Sequence, residues 1–418
     1  MPKTGIALAL VVLLAVVALV VAGNLVADDK SSWTQWGGPN QDFKAASTGL
    51  AQKWSEAGPP ELWKRDLGEG YSAILFEDGK LYTMYRKDEQ EIVICMNAAD
   101  GKTVWEYAYD ASPAEGHITQ FGEGPRATPL IDGKRIYAVG VSGVMNALDK
   151  RNGKPAWTQD LWKDHGGNFL VHGYSSSPIA YKNTILVPVG GEGHALVAFN
   201  KKDGSVAWKN QDFDNSYSTP RIFDVDGEEQ LIIFMAKEVI GADPNNGDLK
   251  WSYPHENQWG QNINMPVMAD ANHIFFSSPM VGAKGLKLTN NGGKTEIEEV
   301  WATRKIQFYH VTSVRQGDYV YGSTGMRAPA FMSAVNVKTG EIAWRKRDFA
   351  KANVIGADGK LIILDEDGNL AIATATPEDL VVHSKVELLD KVAWTVPTLV
   401  GKTLFIRDKN TIRALDLG

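Results

Sequence analysis

The chain has 418 residues, 44% of them hydrophobic and 22% charged, a balance that speaks against disorder. A net charge of −7 without a clustered Lys/Arg face argues against a nucleic-acid partner. The single cysteine, Cys95, permits no intramolecular disulfide, no CxxCH haem attachment and no cysteine-based zinc site.

In chain order, Lys3 precedes an apolar run from Ile6 to Ala22, followed by Asn24, Asp28, Asp29 and Lys30. At ~1.5 Å per residue such a run just spans a bilayer core of ~30 Å as one hydrophobic helix. It is long for a signal-peptide core, although the small residues Ala22, Gly23 and Ala27 suit cleavage. No cysteine follows it to carry a lipid. Residues 1–30 are therefore expected to be a membrane anchor, through 6–22, or a cleaved signal segment. Either way the basic end stays inside and everything after Asp28 is exported, anchored on the outer side of the inner membrane or free in the periplasm. Residues 31–60 read as a tail that packs, through Trp33 and Trp36, on the folded domain beginning at residue 61.

From residue 61 onward one pattern recurs: Asn or Asp, two residues, a polar residue, Gly, and Trp four positions later. It runs Asn97–Gly101–Trp105, Asp149–Gly153–Trp157, Asn200–Gly204–Trp208, Asp243–Gly247–Trp251 and Asn336–Gly340–Trp344, with a looser copy ending at Trp301. Asp, Asn and Gly tolerate positive φ, so each copy closes a turn between two strands, the second carrying a tryptophan able to fill the gap between neighbouring sheets. A second marker lies upstream, a Pro or small residue before a Gly-Lys-like turn and an aliphatic strand, as in Thr128–Lys134 and Val396–Lys402. Counted together they give eight units of four short strands at ~40–50 residues each, the mark of a propeller. The seventh, around Leu370–Ala375, lacks a tryptophan but keeps its first hairpin. The last stops after three strands at Asp416, and Glu61–Arg65 with Trp63 offers the missing fourth. The fold expected is all-β, an eight-bladed propeller over 61–418, closed by its two ends and preceded by one N-terminal hydrophobic helix.

These units resemble PQQ-type propeller repeats: Ala147-Leu148-Asp149 through Trp157 nearly matches that consensus, and the coverage runs from about Trp63 to the end. Trp33-Thr34-Gln35-Trp36-Gly37-Gly38-Pro39-Asn40 resembles an opening tag of exported propellers of this type. The superfamily includes quinoprotein alcohol dehydrogenases and the propeller lipoprotein of the outer-membrane β-barrel assembly machinery, so the resemblance fixes the fold more firmly than the activity. The dehydrogenases use calcium, an Asp base and usually a disulfide of adjacent cysteines beside pyrroloquinoline quinone (PQQ). One cysteine cannot supply that disulfide, and Cys95 occupies the repeat position of Ala147 and Ala198.

Innermost strands of a propeller enter from one face, so equivalent positions should ring a channel mouth. Aligned on the Pro marker, the ring comprises Arg126, Ser175, Tyr217, Ile263, His310 and Trp394, with Tyr71 and Lys351 near it and Glu123, His165, Asn168, His172, Tyr174 and Asn262 on the loops leading in. Arg126, His172, Tyr174, Tyr217, Asn262, His310 and Trp394 are the ligand-binding candidates, suited to a small anionic or carbohydrate-like molecule by charge-assisted hydrogen bonds and stacking. Such loop residues also serve simply to satisfy neighbouring backbone groups. Trp63, Trp105, Trp157, Trp208, Trp251, Trp301 and Trp344 are the structural repeat positions, and no catalytic or metal-ligating residue is assigned. The function expected is a monomeric, non-catalytic binding or assembly scaffold for a protein partner at the cell envelope, the alternative being a PQQ- and calcium-dependent oxidoreductase of alcohols or sugars.

Overall fold

In a computed structural model, which describes residues 32–326 and 329–418, the chain forms eight antiparallel sheets of four strands. The expected N-terminal helix falls outside the described residues, and among those no helix is long and apolar enough to cross a membrane. Seven blades run consecutively in sequence, at 75–110, 130–160, 179–210, 221–254, 267–303, 313–346 and 352–387. The eighth joins 398–416 to Glu61–Asp66, which pairs with Thr411–Asp416 as its outermost strand. Closure by the two ends hides both sheet edges that an open ring would expose.

The turn and the tryptophan of the first sequence marker meet across neighbouring blades as two halves of one joint. In blade two, Gly153 N donates to Asp149 O at 2.9 Å, while Asp149 Oδ1 and Asn152 Oδ1 cap Arg151 N and Lys154 N. Asp and Asn recur there because a short side chain must reach the backbone two residues on. Gly153 has φ +68°, and a Cβ on it would lie 2.5 Å from the ring of Trp105, the tryptophan of the preceding blade. Trp105 Nε1 then donates to Lys150 O beside the same turn at 3.0 Å. Gly101 with Trp63, Gly204 with Trp157 and Gly340 with Trp301 repeat the arrangement. Each of these four tryptophans thus buries its face on the next blade's turn and satisfies its one polar atom there.

Two joints depart from the rule. Blade five replaces the tight turn by the long strands Gly282–Asn291 and Lys294–Thr303, and Trp251 Nε1 turns back to Gln230 Oε1 of its own blade at 2.8 Å. Blade seven has no tryptophan. Every blade bulges just after the residue paired with its tryptophan, as Cys95↔Trp105 and Ala147↔Trp157; in blade seven the equivalent pair is Ile372↔Ser384. Ser384 Oγ accepts a hydrogen bond from Trp54 N at 2.9 Å, and Trp54, from the tail, is buried. The tail brings a tryptophan to the one blade that lacks it.

Candidate functional site

Residues entering each inner strand gather at one end of the channel, the rim, and the turns leaving it gather at the other, the base. The tail crosses the base. Trp33 exchanges backbone hydrogen bonds with Phe76 of blade one, and Ile131 N of blade two donates to Thr34 O at 2.8 Å. Arg221 of blade four donates to Asn40 O at 2.8 Å. Ala45 N and Gly356 O of blade seven meet at 2.9 Å, and Ala51 N reaches Leu417 O of blade eight at 2.7 Å. Trp36, Gln41, Asp42, Phe43 and Lys44 consequently form the floor of the channel, converting it into a cavity of about 1030 Å³ open at the rim.

All eight residues of the sequence-derived ring and its neighbours, Tyr71, Arg126, Ser175, Tyr217, Ile263, His310, Lys351 and Trp394, line this cavity, as does His172. Two candidates do not. Tyr174 is fully buried between blades, its hydroxyl donating to Pro188 O at 2.9 Å, and burial pushes its ionisation far up. Asn262 is fully buried too, its amide donating to Met235 O, Ala236 O and His255 O, which is backbone repair and not a ligand contact. The loop residues Glu123, His165 and Asn168 also stay outside the lining: Glu123 pairs with Arg86, His165 packs on Phe199 and Asn168 caps Asn215 N.

Trp394 is the hub of the rim. Its Nε1 donates to Glu366 Oε2 at 2.9 Å, and the same carboxylate holds Lys351 Nζ at 3.1 Å, placing that ammonium over the Trp394 ring. Tyr71, Phe121 and His310 pack against the indole with ring centroids 5.4, 5.1 and 4.6 Å away. His310 Nε2 is buried without a partner, and burial, reinforced by Lys351, holds its pKa well below the usual imidazole value, so the ring is neutral. Across the mouth, Tyr309 donates to Gln261 Oε1, which leaves the Gln261 amide to donate to His172 Nε2 at 3.1 Å. Those roles require a neutral His172 protonated on Nδ1, consistent with a pKa lowered by burial and by Arg126. Burial pushes the Tyr71 and Tyr217 hydroxyls up to about 12.

Arg126 is the half-buried cation of this end. It donates to Gly124 O and Gly122 O on its own loop and forms no ion pair among the described residues. Burial lowers its pKa, but a guanidinium remains charged at neutral pH. Above it the mouth carries an apolar rim: Ile118, Phe121, Val171 and Trp259 line the opening and are 38–46% exposed, and Phe169 stacks on His117 beside Ile118.

The carboxylates lining the cavity are Asp42 in the floor and Glu366, already committed to Lys351 and Trp394. Calcium takes about six to eight oxygens. Among the described residues no group of three or more His, Cys, Asp or Glu is placed to hold a metal, and Cys95 is buried alone. The residues present therefore do not fit the calcium-and-PQQ arrangement of the quinoprotein dehydrogenases.

Gln261 and Tyr309 carry no repeat signal of their own, although each lies within two positions of a ring residue. Glu366, which reaches the mouth from the turn after the second strand of blade seven, carries none either. The apolar rim was missed because its residues fall in loops outside the repeat.

The architecture is that of the PQQ-type propellers. The model of the PQQ_2 family, described as outer membrane protein assembly factor BamB, matches residues 47–211 and 120–346. The chain belongs to that family. It is 24% identical over 322 residues to the outer membrane protein assembly factor BamB of Yersinia pestis, covering 71% of this chain and 76% of that one. Among solved structures, BamB from Moraxella catarrhalis superposes with a TM-score of 0.59 at 14% identity, over 85% of this chain and 99% of that one. The quinohemoprotein alcohol dehydrogenase ADHIIG from Pseudomonas putida HK5 gives 0.63 at 11% identity, over 93% and 81%. These likenesses are of fold.

Proposed function

We propose that this chain is an exported cell-envelope scaffold that binds a protein partner through the rim of its channel, as a monomer and without chemistry of its own. The apolar rim carries the reading. Five large apolar side chains, Ile118, Phe121, Phe169, Val171 and Trp259, are exposed on loops gathered at one mouth, linked by Ile118 N donating to Val171 O at 2.7 Å. A contiguous apolar patch with polar surroundings is what a protein interface requires. The name borne by the family and by the Yersinia pestis relative supports a partner in outer-membrane protein assembly and a place in the cell envelope. The apolar run at 6–22 supports export, with or without retention as an anchor.

Photo-crosslinking in cells tests this. An aryl-azide residue at Phe121 or Phe169 should yield a defined adduct, identified by mass spectrometry as an outer-membrane assembly component, whereas one at Lys134 on a basal turn should not. Equal adducts from rim and base would overturn the assignment of the surface.

The second reading, an oxidoreductase using PQQ and calcium on alcohols or sugars, is favoured by one feature, the aromatic cluster about Trp394 beneath an open mouth. The shortage of carboxylates weighs against it. A calcium-dependent rise in melting temperature with PQQ, lost in His310→Ala, would revive it and sink the scaffold reading.

A further inference from the structure

The cavity is a dead end. A polypeptide cannot thread it from rim to base, because Trp36 and Gln41–Lys44 occupy the floor and the tail holding them is hydrogen-bonded to blades one, two, four, seven and eight. What enters must be a chain end or a loop tip. The charges at the mouth separate these two. Lys351 is paired directly with Glu366, but Arg126 has no carboxylate within ion-pair distance among the described residues, Glu91 and Glu69 acting on it only from further away. Of its five N–H groups, two are used on backbone carbonyls and three remain without a protein partner there. Arg126 also sits directly beside the aromatic cluster, since Tyr71 N donates to Pro125 O at 2.9 Å and Tyr71 packs on Trp394. An anion held there would have an apolar group beside it on the Tyr71, Phe121 and Trp394 rings, and the residues behind it on the exposed rim.

We propose that the mouth receives the C-terminal residue of a partner polypeptide, with its α-carboxylate on Arg126 and an aromatic or large aliphatic side chain among Tyr71, Phe121 and Trp394. A guanidinium offers a carboxylate two parallel donors, and a terminal residue is where a polypeptide presents both that carboxylate and a free apolar side chain. The residues upstream of it cover Ile118, Val171 and Trp259. This inference rests on the scaffold reading and narrows it to one kind of ligand.

The probe is an N-acetylated hexapeptide ending in phenylalanine, as the free acid and as the C-terminal amide, titrated into the full chain in detergent with tryptophan fluorescence as the signal. The free acid should bind about tenfold more tightly than the amide, a difference that shrinks in 0.5 M salt as screening demands. Arg126→Gln should erase the acid–amide difference. Phe121→Ala, at an exposed loop position that cannot unfold a blade, should weaken both peptides alike. Acid and amide binding equally well to the unaltered chain would overturn the proposal, as would failure of both at millimolar concentration. If both fail while the rim still crosslinks to an assembly component, the scaffold reading stands and the terminus proposal alone falls.

Discussion

Glu91 is a carboxylate sealed inside the joint between blades one and two. It is fully buried, and it accepts hydrogen bonds from the Tyr109 hydroxyl at 2.8 Å and from Val141 N at 3.0 Å. Gly140 approaches it so closely that a Cβ there would lie 1.9 Å from Glu91 Oε2. Desolvation pushes the Glu91 pKa up to about 7 against the pull of those hydrogen bonds and of Arg86 and Arg126. A carboxyl whose folded pKa is raised binds its proton more tightly in the native state. Its contribution to stability is therefore present in full below the unfolded value near 4.5 and is lost as pH rises to about 7. Glu91→Gln mimics the protonated form and removes that dependence. Denaturant unfolding at pH 5 and pH 8 should show the variant gaining about 2 kcal/mol on the unaltered chain between the two conditions. Parallel pH profiles would show that Glu91 is ionised in the fold at both.

At the scale of the blade, the joint between a tryptophan and the next blade's turn glycine makes a testable distinction between two glycines of like conformation. Gly153→Ala must both enter positive φ and displace the Trp105 ring, at a combined cost of about 2–4 kcal/mol. Gly133→Ala, also at positive φ but with nothing within 4 Å, should cost only about 1 kcal/mol, so comparing the two midpoints isolates the packing. Trp54 of the tail packs at blade seven, bound there through its backbone N to Ser384 Oγ and not through its ring nitrogen. Trp54→Ala should cost about 3 kcal/mol, the usual penalty for emptying a buried tryptophan site, although it lies in no blade. A change of a few tenths would mean that the tail merely rests on the base. The same joint explains what could be read beforehand. The blades were legible because each states its turn and its tryptophan locally, and both fall within one short stretch of chain. Blade seven was legible only from its first hairpin, because its tryptophan comes from 330 residues away. The ring at the mouth was legible because inner strands share a direction. Tyr174 and Asn262 were misplaced because a loop's polar side chains turn inward wherever main-chain groups need partners. The floor, the rim and Glu366 depend on contacts between distant segments, and no periodicity encodes those.

For the whole ring, stability depends on the one junction where the chain's beginning meets its end. Glu61–Asp66 pairs with Thr411–Asp416, and beside that pairing Arg407 is the largest completely buried side chain among the described residues. Its guanidinium reaches across to blade one, donating to Met84 O at 2.9 Å, Gly68 O at 3.1 Å and Thr83 Oγ1 at 3.3 Å. Burial lowers its pKa to about 10, which still leaves it charged at neutral pH. A charge so enclosed is tolerated because its donors meet carbonyls, and removing it strands those carbonyls without water. Arg407→Ala should therefore cost about 3–5 kcal/mol, the range for breaking a buried charged network. The closing strands pair residues some 350 positions apart, so no local structure compensates for a weakened seam. If the ring unfolds as one unit, the denaturant midpoint falls with an unchanged slope, and hydrogen exchange quickens in every blade alike. If the seam opens by itself, exchange quickens at 61–66 and 403–416 while blades three to five keep their protection. A variant as stable as the unaltered chain, with exchange unchanged at the seam, would show that the two strands hold the ring closed without the arginine.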